Sequence, residues 1–216
     1  MKTKRLVNSA LLIAIATVLS YLKLFELPFG GTVTIASMMP IVIIGYMYGI
    51  RWGVLSAFLF SIVQLLSGMS TVSAFFLPGD SQMAVGAAIM ICLLDYIIAY
   101  TVLGFSGMFK GKFKSRALEI ALGAVVVCLA RYIVHVISGA IFFGSWAEWF
   151  FADSTGLSQI KAFDSFCKWT MKTFSGNSLS VFYSLIYNIS YMLPETVITA
   201  ILSPIIYKVL EKAEVR

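Results

Sequence analysis

Six apolar runs, near residues 6–24, 33–50, 53–70, 83–108, 117–143 and 180–208, approach the roughly 20 residues that one helix needs to cross a bilayer core. Inside hydrocarbon every backbone N–H and C=O has to be satisfied within the protein, and separate runs of this length do so as helices. The expected fold class is an all-α membrane protein of six transmembrane helices, forming a single integral membrane domain over residues 1–216. Hydrophobic residues make up 60% of the chain and charged residues only 12%, which leaves no room for a soluble catalytic domain. Turn-forming residues fall between the runs: Pro28 with Gly30 and Gly31, Gly49 to Gly53, Pro78 with Gly79, and Gly107 to Lys114.

The net charge of +6 sits in short clusters between the runs, with no aromatic-interleaved basic face. It therefore reads as topology information, with membrane lipid and not nucleic acid as the partner. Lys2, Lys4, Arg5, Arg51, Lys110, Lys112, Lys114, Arg116, Lys208, Lys212 and Arg216 fall on one side, against Lys23, Lys161, Lys168 and Lys172 on the other. Eleven against four places both termini in the cytoplasm. Met1 to Leu24 starts basic and continues apolar like a signal peptide, but it lacks a small-x-small cleavage site before the next turn and reads as the first transmembrane helix. Cys92, Cys128 and Cys167 have neither metal-ligand spacing nor an evident disulfide pairing, so they read as structural thiols, and no metal or cofactor is expected. No phosphate-cradling Walker A pattern occurs, so ATP hydrolysis is not expected of this chain.

The external connection 144–177 carries Trp146, Trp149, Phe150, Phe151, Phe163, Phe166 and Trp169 among Asp153, Asp164, Lys161 and Lys168. Apolar positions over 158–174 recur near helical spacing, which predicts an interfacial amphipathic helix. Its aromatic residues fit an interface belt or a lid over a ligand.

Several polar groups lie where lipid would reject them: Asp95 with Tyr96, Arg131 with the sole histidine, His135, Tyr183 with Asn188, and Glu195. An ionisable group costs roughly 2.5 to 3.5 kcal/mol at a bilayer centre on insertion scales, so this many imply an enclosed polar site. At about 1.5 Å per residue, His135 lies some eight residues below the external end of its helix. Tyr183 and Asn188 lie in the first turns of the last helix, and Asp95 with Tyr96 near the middle of the fourth. Their depths overlap in the outer half of the membrane, the geometry of a pocket open to the outside. Two readings stand for Asp95, a ligand carboxylate or a structural ion pair with Arg131. His135 reads as a ligand group or a satisfied packing residue, and Tyr183 and Asn188 as ligand groups or interhelical hydrogen-bonding residues. Glu195, after Pro194, reads as part of a proline-kinked turn or as a ligand group. Ala10 and Ala14 form a small-xxx-small face on the first helix, suited to close packing inside the bundle or against a partner.

The segments Leu94 to Tyr100, Arg131 to Gly144 and Tyr183 to Glu195, together with Gly30 to Pro40, resemble the thiamine-specific substrate-binding subunits (S components) of energy-coupling factor (ECF) transporters. The stretch from Tyr187 to Glu195 is the most specific of these. The resemblance implies a six-helix subunit that captures thiamine outside and associates with a transmembrane coupling protein and two cytoplasmic ATPases. It implies a transport protein rather than an enzyme, in the cell membrane. Substrate-binding roles carry over to Asp95, Tyr96, His135, Tyr183 and Asn188, and the coupling-protein contact to Ala10 and Ala14.

Thiamine suits this set chemically. Asp95 could neutralise its thiazolium charge, and aromatic faces could hold it by cation–π attraction, worth up to about 2 kcal/mol when desolvated. The aminopyrimidine offers donors and acceptors to His135, Tyr183 and Asn188, with stacking on Phe143 or Trp146. The alternatives are an S component for another vitamin or a thiamine precursor, and a stand-alone secondary transporter, for which neither inverted repeats nor broken helices are evident. An intramembrane serine hydrolase built on His135 lacks a G-x-S-x-G elbow and a third group.

Overall fold

The computed structural model describes residues 2–27, 30–79, 81–152 and 156–214; Pro28 and Asp153 lie outside the described residues. The chain is almost entirely helical. Helix α1 (Lys2–Tyr21) leads into an antiparallel strand pair, β1 (Lys23–Glu26) and β2 (Thr32–Thr34). There follow α2 (Met39–Tyr48), α3 (Ile50–Ser67), α4 (Met69–Phe76) and the long α5 (Val85–Phe109). The chain closes with α6 (Arg116–Phe142), the short α7 (Ala147–Phe151), α8 (Asp164–Thr173) and α9 (Gly176–Glu214).

Five of these helices, α1, α3, α5, α6 and α9, are long and apolar enough to cross a membrane. The apolar run expected as a helix over 33–50 is divided. Its start pairs with β1 in the sheet, Ala36 turns the chain at a φ of 60°, and Pro40, lacking an N–H, opens the ten-residue α2 where that donor would have no partner. Every residue of α2 from Met39 to Tyr46 is buried. Its apolarity all round thus reflects enclosure by the other helices, as expected of a helix without a polar face. Gly49, at a φ of 85° that L side chains rarely adopt, turns α2 directly into α3.

Helix α5 is not uniform. It is α-helical over Val85–Ile91, widens to π-helix over Cys92–Ile98, and tightens to 3₁₀ over Val102–Phe109. Near its tight end Ser106 donates to the Val42 carbonyl at 2.9 Å, and Tyr46 donates to Glu119 at 2.6 Å, tying α2 to α5 and α6. Helix α6 packs extensively on α9. Within the connection 144–177 only Asp164–Thr173 forms the α-helix expected over 158–174; the residues before it make 3₁₀ turns. Its aromatic residues largely pack on one another and on α9, with Phe174 stacked on Phe182 at 4.4 Å.

Candidate functional site

A cavity of about 260 Å³ opens between α5, α6 and α9 and is walled on its other sides by the β1–β2 loop, the end of α1 and the α3–α4 junction. It sits near the lower end of ligand-site volumes, roughly 300 to 1,000 Å³, so it suits one small molecule. The π-helical stretch of α5 carries both Asp95 and Tyr96 into its wall. Wide turns of this kind are rare and recur at functional sites, because they re-aim side chains that a regular helix would stack. Tyr96 reaches α3 where Gly68 leaves space: a Cβ on Gly68 would lie 2.6 Å from the Tyr96 hydroxyl.

His135 and Asp95 meet across α6 and α5, with Nδ1 2.9 Å from Oδ1. Ser138, three residues along α6, donates to the other Asp95 oxygen at 2.8 Å. Arg131 Nε donates to His135 Nε2 at 3.2 Å, so Nε2 accepts and the ring proton sits on Nδ1, facing Asp95. The Arg131 guanidinium lies 4.0 Å over the Tyr100 ring and also donates to Met38 Sδ at 2.8 Å. Asp95 is therefore held in the cavity by two donors, with lone pairs remaining for a third. Among the described residues Asp95 is hydrogen-bonded to this neutral imidazole and makes no contact with Arg131, the structural alternative.

Helix α9 contributes a stripe of Tyr183, Tyr187 and Tyr191, all buried and lining the cavity. Their spacing of four residues puts them on one helix face. Phe150 of α7 backs this stripe, with ring centroids 5.2 Å from Tyr183 and 6.0 Å from Tyr187. Asn188 lines the cavity but spends its amide on the protein: Nδ2 donates to the Ser184 and His135 carbonyls at 2.8 and 3.3 Å, and Oδ1 accepts from Tyr191 at 2.6 Å. It holds His135 in place as much as it faces the cavity. Gly139 permits the approach: a Cβ there would lie 3.2 Å from Asn188 Nδ2 and closer still to the Ser184 hydroxyl.

The β1–β2 loop is tied to the same helix. Tyr187 accepts from the Gly31 backbone N–H at 3.0 Å, while Glu195 accepts from the Thr34 hydroxyl at 2.7 Å and also from the Thr34 N–H. Glu195 thus ties β2 to α9.

Of the residues expected to bind substrate, the cavity gathers Asp95, Tyr96, His135, Phe143, Tyr183 and Asn188. Trp146 is apart from them. It lines a neighbouring cavity of about 300 Å³ beyond Phe75 and Phe143, whose rings meet at 6.0 Å between the two spaces. The end of α6 turns there through the 3₁₀ residues Gly144–Trp146, which carries Trp146 away from Phe143. Ala10 and Ala14 are exposed, while Ser9, Leu12 and Ala16 pack inward. The small-residue face therefore points away from the bundle.

Sequence reasoning passed over Tyr187, Tyr191, Tyr100 and Gln64, all lining the site. The four-residue tyrosine spacing in α9 and the Tyr96–Tyr100 pair were readable signals. Gln64 gives none, since a single amide in an apolar run is common.

The chain matches the family of Thiamine transporter protein (Thia_YuaJ) over residues 6–149. It is 30% identical over 208 residues to the thiamine transporter ThiT of Bacillus subtilis (strain 168), covering 91% of this chain and 86% of that protein. It also superposes on a solved structure of ThiT from Listeria monocytogenes with a TM-score of 0.65 and 20% identity, over 98% of this chain and 97% of that one. At that identity the likeness speaks for the fold.

Proposed function

Because the chain belongs to the thiamine transporter protein family, we propose that it is a thiamine-binding S component that captures the vitamin from outside the cell in its α5–α6–α9 cavity. It is a multi-pass plasma membrane protein with a transport role rather than a catalytic one. One observation carries the substrate reading: the Asp95 carboxylate, fixed by His135 and Ser138, faces a cavity lined by Tyr96, Tyr100, Tyr183, Tyr187 and Tyr191. A permanent organic cation that also presents an aromatic ring is what such a site recognises, through charge at Asp95 and π faces around it.

In the membrane, the five long helices cross the bilayer, and α2, ten residues and about 15 Å long, makes the sixth passage together with the largely buried residues 33–38 before it. The eleven-to-four bias of Lys and Arg then puts both termini in the cytoplasm and the cavity in the outer half. Energy for release comes from partners, a transmembrane coupling protein and two ATPase subunits, and the exposed Ala10–Ala14 face of α1 is the contact for the coupling protein.

The test is a titration of the purified protein with thiamine, followed by tryptophan fluorescence, without ATP. Saturable, reversible quenching supports the assignment. Equal or tighter binding of an uncharged vitamin overturns it.

A further inference from the structure

Gln64 lies on the bundle-facing side of α3, one turn beyond Phe60 and Ser61, and is only 7% exposed. Its backbone carbonyl accepts from Gly68 N at 2.9 Å, so the residue caps the last turn of α3 beside the cavity, and its side chain lines that cavity. The side-chain Nε2 has no hydrogen-bond partner within the protein. A buried amide with an unused N–H is unfavourable, and a helix–helix packing position is served as well by leucine or methionine. Nε2 is itself enclosed, and a half-turn of the Gln64 amide about its last torsion, which exchanges the nitrogen and oxygen positions, brings that donor to the cavity.

On the same side, Tyr96 packs on Gly68, and α3 contacts the π-helical turn that carries Asp95. Asp95 accepts and carries negative charge, whereas Gln64 offers a neutral donor. The two groups are complementary to a ligand that has both a cationic ring and hydrogen-bond acceptors. Thiamine has such acceptors in its pyrimidine ring nitrogens and its hydroxyethyl oxygen.

We propose that Gln64 is a further substrate-binding residue, donating its amide N–H to an acceptor atom of the bound vitamin and so selecting ligands that carry an acceptor there. This rests on the reading of the cavity as a thiamine site. A site built to hydrogen-bond a substrate atom rejects the analogue lacking it, because the protein group is then left buried and unpaired.

The experiment compares the unmodified protein with Gln64→Leu and Gln64→Met, titrated with thiamine and three analogues. One analogue ends in ethyl in place of hydroxyethyl; in each of the other two, one of the pyrimidine ring nitrogens is replaced by C–H. Both variants should bind thiamine about five- to tenfold more weakly, the net worth of one neutral hydrogen bond. For one of the three analogues the variants and the unmodified protein should bind equally, which also shows that the variant cavity is intact. Unchanged thiamine affinity in the variants, or the same loss for all four ligands, overturns the role of Gln64 while leaving the thiamine assignment standing. Absence of thiamine binding by the unmodified protein overturns both.

Discussion

His135 Nδ1 and Asp95 Oδ1 lie 2.9 Å apart, joining α6 to α5 at the wall of the cavity. Two helices that carry their polar groups at different points along the chain are thereby locked at one depth. The carboxylate is held in place before any ligand arrives, so less ordering remains to oppose binding.

Asp95→Asn keeps the shape and the contact with His135 but removes the charge. A hydrogen bond to a charged group contributes roughly 1.5 to 3 kcal/mol against about 1 for a neutral one, so affinity for thiamine should fall further than affinity for a neutral pyrimidine analogue. Parallel titrations of the two ligands check this. Equal losses would make Asp95 a structural partner of His135 and nothing more.

Asn188→Ala removes a side chain whose amide is committed to Ser184, His135 and Tyr191. It leaves buried partners unpaired, at a cost on the order of 1 to 3 kcal/mol. Thermal unfolding in detergent should shift down. Binding of all ligands should weaken by a common factor, because the damage reaches them through the position of His135. A loss confined to one ligand would instead place Asn188 in direct contact with it.

Phe143 and Trp146 stand three residues apart, yet only Phe143 lines the main cavity. Phe143→Ala should therefore reduce thiamine affinity several-fold, by roughly 0.5 to 1.5 kcal/mol of aromatic contact, while Trp146→Ala leaves it nearly unchanged. The reverse order would mean that the bound protein closes around the second cavity.

Much of the fold is written in the lengths of the apolar runs, and the departures have physical causes. The run over 33–50 could not show its division, because a segment enclosed by other helices is as apolar as one facing lipid. The π-turns at Cys92–Ile98 leave no composition signal at all. Asp95, His135 and Asn188 stand out in sequence because lipid excludes them. Gln64 and the Thr34–Glu195 junction become informative only when neighbouring helices show which polar atoms have partners. Ala10 and Ala14 were the opposite case, visible as a pattern whose direction only the packing reveals.

That direction separates capture from delivery. The exposed face of α1, running through Leu6, Ala10, Leu11, Ala14 and Val18, has small residues at its centre that let another helix approach closely. Replacing both Ala10 and Ala14 by Trp should block that approach without reaching the cavity, to which α1 contributes only at Ser20 and Tyr21. Thiamine binding by the isolated protein should stay unchanged, while thiamine uptake by cells drops to near background. Unimpaired uptake would refute the docking role of this face. Loss of binding in the double variant would show that α1 uses these alanines to hold the bundle together, since each bulky side chain would then have entered the core and distorted the site from within.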